Sequence, residues 1–155
     1  MFGRKNTCDF TEKSQIAYST GQNMDKLIIQ ETAQTPFVNF DGKSGEMIIR
    51  GRAIPEDADH FWLPVLSWFE SFMLNPVNDV TFQLDLEYFN ISSSKRILFL
   101  LYKLNELSDA GRQVKVIWYY KKSDIDMYEV GQDYAYMVKV PFEFIACKEL
   151  ELIDV

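Results

Sequence analysis

Apolar residues in this chain switch repeatedly between two spacings, and this switching restricts the fold more than any other feature. Every second residue is apolar in 80–86, which is typical of a β-strand with one buried face. Apolar residues recur every three or four positions in 97–107, which predicts a helix that ends before Gly111. The β-branched and aromatic run 114–120 predicts another strand. Strands that alternate with helices imply right-handed crossovers and a largely parallel sheet.

An Asp-Gly turn predicts a β-hairpin earlier in the chain. Apolar residues at 37–40 precede Asp41-Gly42, and a second apolar run follows at 47–49. Two such runs around an Asp-Gly pair are a strong short-range hairpin signal. The hairpin adds an antiparallel member to the predicted sheet.

Two more helices and a final strand complete the predicted order. Residues 56–74 carry one broad apolar face, and Pro64 implies either that the regular helix starts near Phe61 or that it kinks. Asp124 is placed to cap a third helix, and 142–145 supply the last strand. We therefore predict an α/β fold with the element order β-β-α-β-α-β-α-β.

The chain length of 155 residues allows one domain with a real core and is too short for two domains of ordinary size. Residues 1–34 lack sustained periodicity and are predicted to form a loosely ordered leader, although an apolar patch at 27–29 is compatible with a strand. The folded domain is predicted to span 35–155.

Composition and charge exclude several classes of protein. The net charge of -7 works against binding to nucleic acid or to an anionic membrane surface. No apolar run approaches the ~20 residues of a membrane span, and no signal-peptide pattern follows Met1. Cys8 and Cys147 lie at opposite ends of the chain without metal-type spacing, which indicates free thiols in a reducing compartment. We therefore expect a cytoplasmic protein without membrane insertion.

The chain offers no recognisable catalytic or metal-binding set. His60 is the only histidine, so a catalytic triad or a histidine-based metal site lacks its partners. Residues 41–45 contain letters of a Walker phosphate loop but lack the upstream glycine and the strand-to-helix context. Acidic pairs such as Glu149 and Glu151 fall on predicted surface segments, where solvated charge is the ordinary explanation. We predict a protein that is not an enzyme and needs no metal or cofactor.

One hydroxyl-rich turn, 90–95, joins the end of a predicted strand to the start of the next helix. Asn and Ser are preferred N-caps, so capping alone can explain this composition. The functional alternative is that a serine here accepts phosphate, because sites collect at the carboxyl ends of strands in open α/β sheets. A phosphoserine would add about -1.5 to -2 charges and meet free backbone N–H groups at the helix start.

Several segments resemble the SiaC-type regulatory phosphoproteins, and the element order looks like the STAS fold of anti-sigma-factor antagonists. The matching segments are Gly-Arg-Ala-Ile-Pro-Glu at 51–56, Pro-Val-Leu-Ser-Trp at 64–68, Leu-Glu-Tyr-Phe-Asn-Ile-Ser-Ser-Ser-Lys at 86–95, Trp-Tyr-Tyr at 118–120, Gly-Gln-Asp-Tyr at 131–134 and Val-Pro-Phe at 140–142. The resemblance covers about 35–145, and the Leu-Glu-Tyr-Phe-Asn block is its most specific part.

The resemblance implies bacterial partner switching. Such proteins are phosphorylated by a dedicated Ser/Thr kinase and dephosphorylated by a PP2C-type phosphatase. When unphosphorylated they bind a target, which in the best-known branch is a diguanylate cyclase that controls biofilm formation. In the family the residue after the asparagine is usually the phosphoacceptor threonine, whereas here it is Ile91. Either Ser92, our first candidate, or Ser93 replaces it, or this member has lost the switch.

The rest of the segment supplies candidates for contact with the target: Glu87, Tyr88, Phe89, Asn90, Ile91, Ser94 and Lys95. Two other functions stay open. A constitutive adaptor of the same fold would bind its target without phosphorylation, and a kinase assay separates it from a switch. A small-molecule-binding domain would be stabilised by its ligand, by ~2.7 kcal/mol at 100-fold its Kd.

Overall fold

The computed structural model describes residues 26–148, which form six strands and three helices. The strands are β1 (Lys26–Ile29), β2 (Phe37–Asp41), β3 (Glu46–Ala53), β4 (Asp79–Phe89), β5 (Gln113–Lys121) and β6 (Phe142–Cys147). The helices are α1 (Ala58–Phe72), α2 (Ile91–Asp109) and α3 (Ile125–Met137).

All six strands lie in one sheet in the order in which they occur in the chain. β1, β2 and β3 pair antiparallel, whereas β3, β4, β5 and β6 pair parallel, so the predicted mixed and largely parallel sheet is confirmed. The predicted element order is wrong at its start, because β1 precedes the hairpin and adds a strand. Four residues show too little alternation to distinguish an edge strand from a loop. Residues 1–25 of the predicted leader lie outside the described residues.

The three helices cover one face of the sheet. On β4 the buried side chains are Val80, Phe82, Leu84 and Leu86, and the partly exposed ones between them are Thr81, Gln83 and Asp85. Sequential parallel strands joined by right-handed crossovers place all their helices on the same face. Buried side chains of all three helices accordingly join those of the strands in one core cluster.

Aromatic side chains fill the centre of this core. The Phe40 ring centroid lies 5.4 Å from that of Trp68 and 5.6 Å from that of Phe82, and Trp68 stacks on Phe72 at 5.3 Å. Tilted and offset rings of this kind add stability beyond the area that they bury. The high aromatic content of these elements therefore serves packing.

The predicted hairpin is the β2–β3 pair. Asp41 closes its turn, because the Asp41 carboxylate accepts the Lys43 N–H at 2.9 Å and its carbonyl accepts the Gly45 N–H at 2.9 Å. Gly45 has a φ of 80°, and a Cβ there would lie 2.1 Å from the Asp79 carbonyl oxygen. Only glycine fits this close approach of the hairpin turn to the start of β4.

Helix boundaries agree with most of the predicted caps. The Asp124 carboxylate accepts the Met127 N–H at 3.0 Å at the start of α3, and Gly111 adopts a φ of 98° just after α2. α1 begins at Ala58, so of the two alternatives predicted for Pro64, the helix start near Phe61 is wrong. Pro64 lies inside the helix on its exposed side, where the backbone carbonyl that it leaves unbonded can reach water.

Two predictions, one on membrane spans and one on free cysteines, can be compared with the structure. No helix within 26–148 combines the length and the hydropathy that a membrane span needs. Cys147, at the end of β6, is disulfide-bonded, so the prediction of a free thiol is wrong at this position. Cys8 lies outside the described residues. Spacing in the sequence could not reveal the bond, because disulfide formation depends on proximity in the folded chain.

Candidate functional site

The connection between β4 and α2 is much shorter than predicted. Asn90 alone separates the two elements, so the predicted turn 90–95 is wrong in extent and residues 91–95 form the first turns of α2. The Asn90 side-chain oxygen accepts the Ser93 backbone N–H at 3.0 Å and caps the helix. Because an asparagine cap satisfies this N–H directly after the strand, the helix begins at once and carries the three serines inside it.

Ser93 faces the core. Its side chain is fully buried, and its hydroxyl oxygen accepts the Trp62 indole N–H of α1 at 3.0 Å. Trp62 is itself fully buried, and its N–H needs a partner there because an unpaired buried donor is costly. Ser93 therefore links α1 to α2 and presents no hydroxyl to solvent.

Ser94 faces α3. Its hydroxyl lies 3.0 Å from the Tyr134 hydroxyl, which also donates to the Ser94 carbonyl at 3.1 Å. Burial raises the pKa of Tyr134 above its ordinary value, and the hydrogen bond to Ser94 lowers it in part. The Phe89 ring stacks on Tyr134 at 6.4 Å between centroids. Ser94 and Phe89 therefore hold α3 against the start of α2.

Ser92 differs from the other two serines because its hydrogen bonds within 26–148 are local. It is half-buried, and its hydroxyl donates to the Asn90 side-chain oxygen at 3.2 Å. Its carbonyl accepts a bond from the Arg96 guanidinium at 3.1 Å. Arg96 also bonds and forms an ion pair with Asp59 in the first turn of α1, so the two helix starts are joined beside Ser92.

The predicted contact residues divide into two groups. Those exposed to solvent are Glu87, Tyr88, Ile91 and Lys95, and those half-buried are Phe89, Asn90 and Ser94. Ile91, at the position of the expected threonine, is 75% exposed. An exposed branched apolar side chain beside the hydroxyl is a ready contact for a partner protein.

Sequence reasoning missed an exposed stripe on α2 that consists of three large hydrophobic side chains and one lysine. Phe99 and Tyr102 are 41% and 43% exposed and lie on the same side of the helix as Ile91 and Lys95. The sequence did contain a signal for this stripe, because its residues follow one another at intervals of four, four and three positions from Ile91 to Tyr102. They lie on the side of the helix opposite the buried leucines. We name Ile91, Lys95, Phe99 and Tyr102 the α2 stripe.

The described residues offer no assembled metal site. Within 26–148 no group of three or more His, Cys, Asp or Glu side chains could hold a metal ion. His60 is exposed in the first turn of α1, where its backbone N–H donates to the Asp57 carboxylate at 3.1 Å.

Comparison with known proteins gives a consistent picture. The family model described as "SiaC family regulatory phosphoprotein" matches residues 29–147. An uncharacterized protein of Pseudomonas aeruginosa (strain UCBPP-PA14) is 28% identical over 126 residues, which are 81% of this chain and 100% of that protein. The structure of apo-SiaC from Pseudomonas aeruginosa superposes with a TM-score of 0.73 at 27% identity, covering 78% of this chain and 98% of that one.

A second similar structure contains a partner. It is the diguanylate cyclase SiaD in complex with its activator SiaC from Pseudomonas aeruginosa, with a TM-score of 0.74, 28% identity and coverage of 77% of this chain and 98% of that one. The relative in that complex regulates an enzyme, which agrees with the prediction that the present chain is not an enzyme itself. Because the family model matches most of the chain, the protein belongs to the SiaC family of regulatory phosphoproteins.

Proposed function

We propose that the protein is a bacterial partner-switching regulator whose switch is phosphorylation of Ser92. In its unphosphorylated form it binds a diguanylate cyclase, the kind of partner that its Pseudomonas aeruginosa relative activates. A Ser/Thr kinase adds the phosphate and a PP2C-type phosphatase removes it. The proposal includes a STAS-like relationship of the fold and a role in biofilm control.

The observation that carries the choice of Ser92 is the contrast among three consecutive hydroxyls. Ser93 is buried against Trp62, and Ser94 is bonded to Tyr134 on another element. In the described part of the chain the Ser92 hydroxyl bonds to Asn90, two residues away. A kinase can therefore phosphorylate this hydroxyl without separating α2 from another helix. Ser93, our second candidate, is disfavoured because its modification requires the α1–α2 contact to open.

The transfer itself needs only ATP as co-reactant. The Ser92 oxygen forms a bond to the γ-phosphorus, the bond from that phosphorus to the ADP oxygen breaks, and the hydroxyl proton leaves to a base of the kinase. The product carries about -1.5 to -2 added charges. On a surface that contacts a partner through apolar side chains, this charge opposes docking because it must be desolvated.

The α2 stripe is the proposed contact with the target. It continues from Ile91, next to Ser92, along one side of the helix to Tyr102. Tyrosine and phenylalanine are among the residues that supply most of the energy at protein interfaces. Placing the phosphate at the end of this stripe explains how one modification controls binding over the whole surface.

The phosphorylation proposal predicts a single site. Incubation of the protein with the Ser/Thr kinase of its own host and ATP is expected to place one phosphate on Ser92, mapped by mass spectrometry of fragments that separate 92 from 93 and 94. Ser92→Ala is expected to abolish the label, whereas Ser94→Ala is expected to leave it. Phosphate on Ser93 alone, or none in 92–94, would refute the choice of Ser92.

The docking proposal predicts a loss of affinity. Combined Phe99→Ala and Tyr102→Ala is expected to weaken binding to the host's diguanylate cyclase at least about tenfold, measured by calorimetry, because truncated hot-spot aromatics commonly cost more than about 1.4 kcal/mol together. Tyr136→Ala on α3 is the matched control, since Tyr136 is 92% exposed and lies outside the stripe. Equal loss in both variants would contradict docking on α2.

Ile91 favours a second candidate, a constitutive adaptor that has lost the switch. An isoleucine accepts no phosphate, and its exposure suits permanent contact with a target. The kinase experiment distinguishes the two candidates. A cytoplasmic location is part of both proposals, and the disulfide at Cys147 counts against it because such bonds are rare in reducing compartments.

A further inference from the structure

We propose that Arg96 binds the phosphate on Ser92 and leaves its present partner Asp59 to do so. This inference rests on the proposed phosphorylation of Ser92. It names Arg96 as the residue through which the phosphate changes a contact between two helices. It concerns α1 as well as α2, because Asp59 belongs to the first turn of α1.

Arg96 is already positioned beside Ser92. The two residues are four apart on α2 and so lie on the same side of the helix, one turn from each other. One guanidinium nitrogen donates to the Ser92 carbonyl at 3.1 Å, and the other donates to the Asp59 carboxylate. The Arg96 side chain is only 24% exposed, so its aliphatic part is held in place by packing. The guanidinium therefore needs only a short movement to reach a phosphate on Ser92.

The phosphate cannot keep the hydrogen bond that Ser92 makes now. The hydroxyl currently donates to the Asn90 side-chain oxygen at 3.2 Å. After phosphorylation the Ser92 side-chain oxygen carries no hydrogen to donate. The phosphate oxygens and the Asn90 side-chain oxygen are all hydrogen-bond acceptors, so they cannot bond to each other. The phosphate therefore turns away from Asn90, and Arg96 is the guanidinium that lies within one helical turn of it.

Competition between the two anions favours the phosphate. The Asp59 side chain is 85% exposed, and an ion pair with such a partner is weakened by water and salt. A phosphate carries up to twice the charge and matches the planar guanidinium with two parallel hydrogen bonds. Transfer of Arg96 leaves Asp59 without this partner, so the negative charge increases at the starts of both α1 and α2.

The test uses the full chain with phosphoserine placed at position 92 by genetic encoding. The second pKa of the phosphate, followed by phosphorus NMR, is expected to lie about half a unit or more below the ordinary value of about 6, because a nearby cation favours the dianion. Arg96→Gln is expected to return it to about 6. Lys95→Gln, which removes a neighbouring exposed cation, is expected to change it far less.

Two further variants sharpen the result. Asp59→Asn is expected to lower the phosphate pKa further, since Arg96 then has no competing carboxylate. Arg96→Lys keeps the charge without the planar fork, is expected to give an intermediate value, and provides the test if Arg96→Gln does not fold. Equal shifts from Arg96→Gln and Lys95→Gln would overturn the proposal. Since the phosphoserine is installed without a kinase, failure of a kinase to modify Ser92 would refute the switch and leave this test intact.

Discussion

Replacing Ser93 by aspartate is expected to lower the free energy of unfolding by at least about 3 kcal/mol, because it buries a carboxylate in the core. The Ser93 side chain is fully buried, and its space fits one hydroxyl that accepts the Trp62 indole N–H. That single donor cannot replace the water that the carboxylate loses. The change is measured by urea denaturation at neutral pH.

Ser92→Asp is the matched control for Ser93→Asp, because it introduces the same charge one residue earlier in the chain. Its side chain is half-buried in the first turn of α2, where a negative charge interacts favourably with the helix dipole. We expect a change below about 1 kcal/mol, in the stabilising direction. If both aspartate variants lost the same stability, the assignment of Ser93 to the core and of Ser92 to a half-buried position at the helix start would be wrong.

Gly45→Ala is expected to lower the free energy of unfolding by about 3 kcal/mol or more, through two separate effects. The φ of 80° is unfavourable for any residue with a Cβ, and this Cβ would lie 2.1 Å from the Asp79 carbonyl oxygen. The turn cannot move away easily, because the Thr81 N–H donates to the Gly45 carbonyl at 2.9 Å. Thermal and chemical denaturation measure the loss.

Gly111→Ala isolates the first of these effects. Its φ of 98° is similarly unfavourable, but no atom of the described residues lies within 4 Å of the added Cβ. We expect a loss of about 1–2 kcal/mol, due to backbone strain alone. A Gly45→Ala variant no less stable than Gly111→Ala would show that the contact with Asp79 is not restrictive.

Most of the fold could be predicted from patterns along the chain. The alternation on β4, the apolar spacing on α2 and the Asp41-Gly42 turn each follow from local geometry, which repeats every two residues in a strand and every 3.6 in a helix. The caps Asp124 and Gly111 are likewise local. β1 was not counted as an element because its four residues show too little alternation, and a short edge strand depends on its pairing with β2 for hydrogen bonds.

The candidate site was located by sequence but not resolved by it. The segment 86–95 could be recognised by its resemblance, and Ile91 could be seen to break the pattern. The roles of the three hydroxyls could not be separated from sequence, because serines 92, 93 and 94 are consecutive residues of the same type. They point in directions about 100° apart around a helix, towards the Asn90 cap, Trp62 and Tyr134 respectively.

By itself, the sequence determined the class of fold, the family and the segment that is the candidate for regulation, because each depends on residue types at fixed spacings. Tertiary structure alone decided that Ser93 is buried against Trp62, that Ser94 bonds to Tyr134 and that Arg96 bridges to Asp59. These facts depend on which side chains of α1 and α3 lie against α2. Such contacts join residues more than 30 positions apart, a distance over which no local pattern carries information.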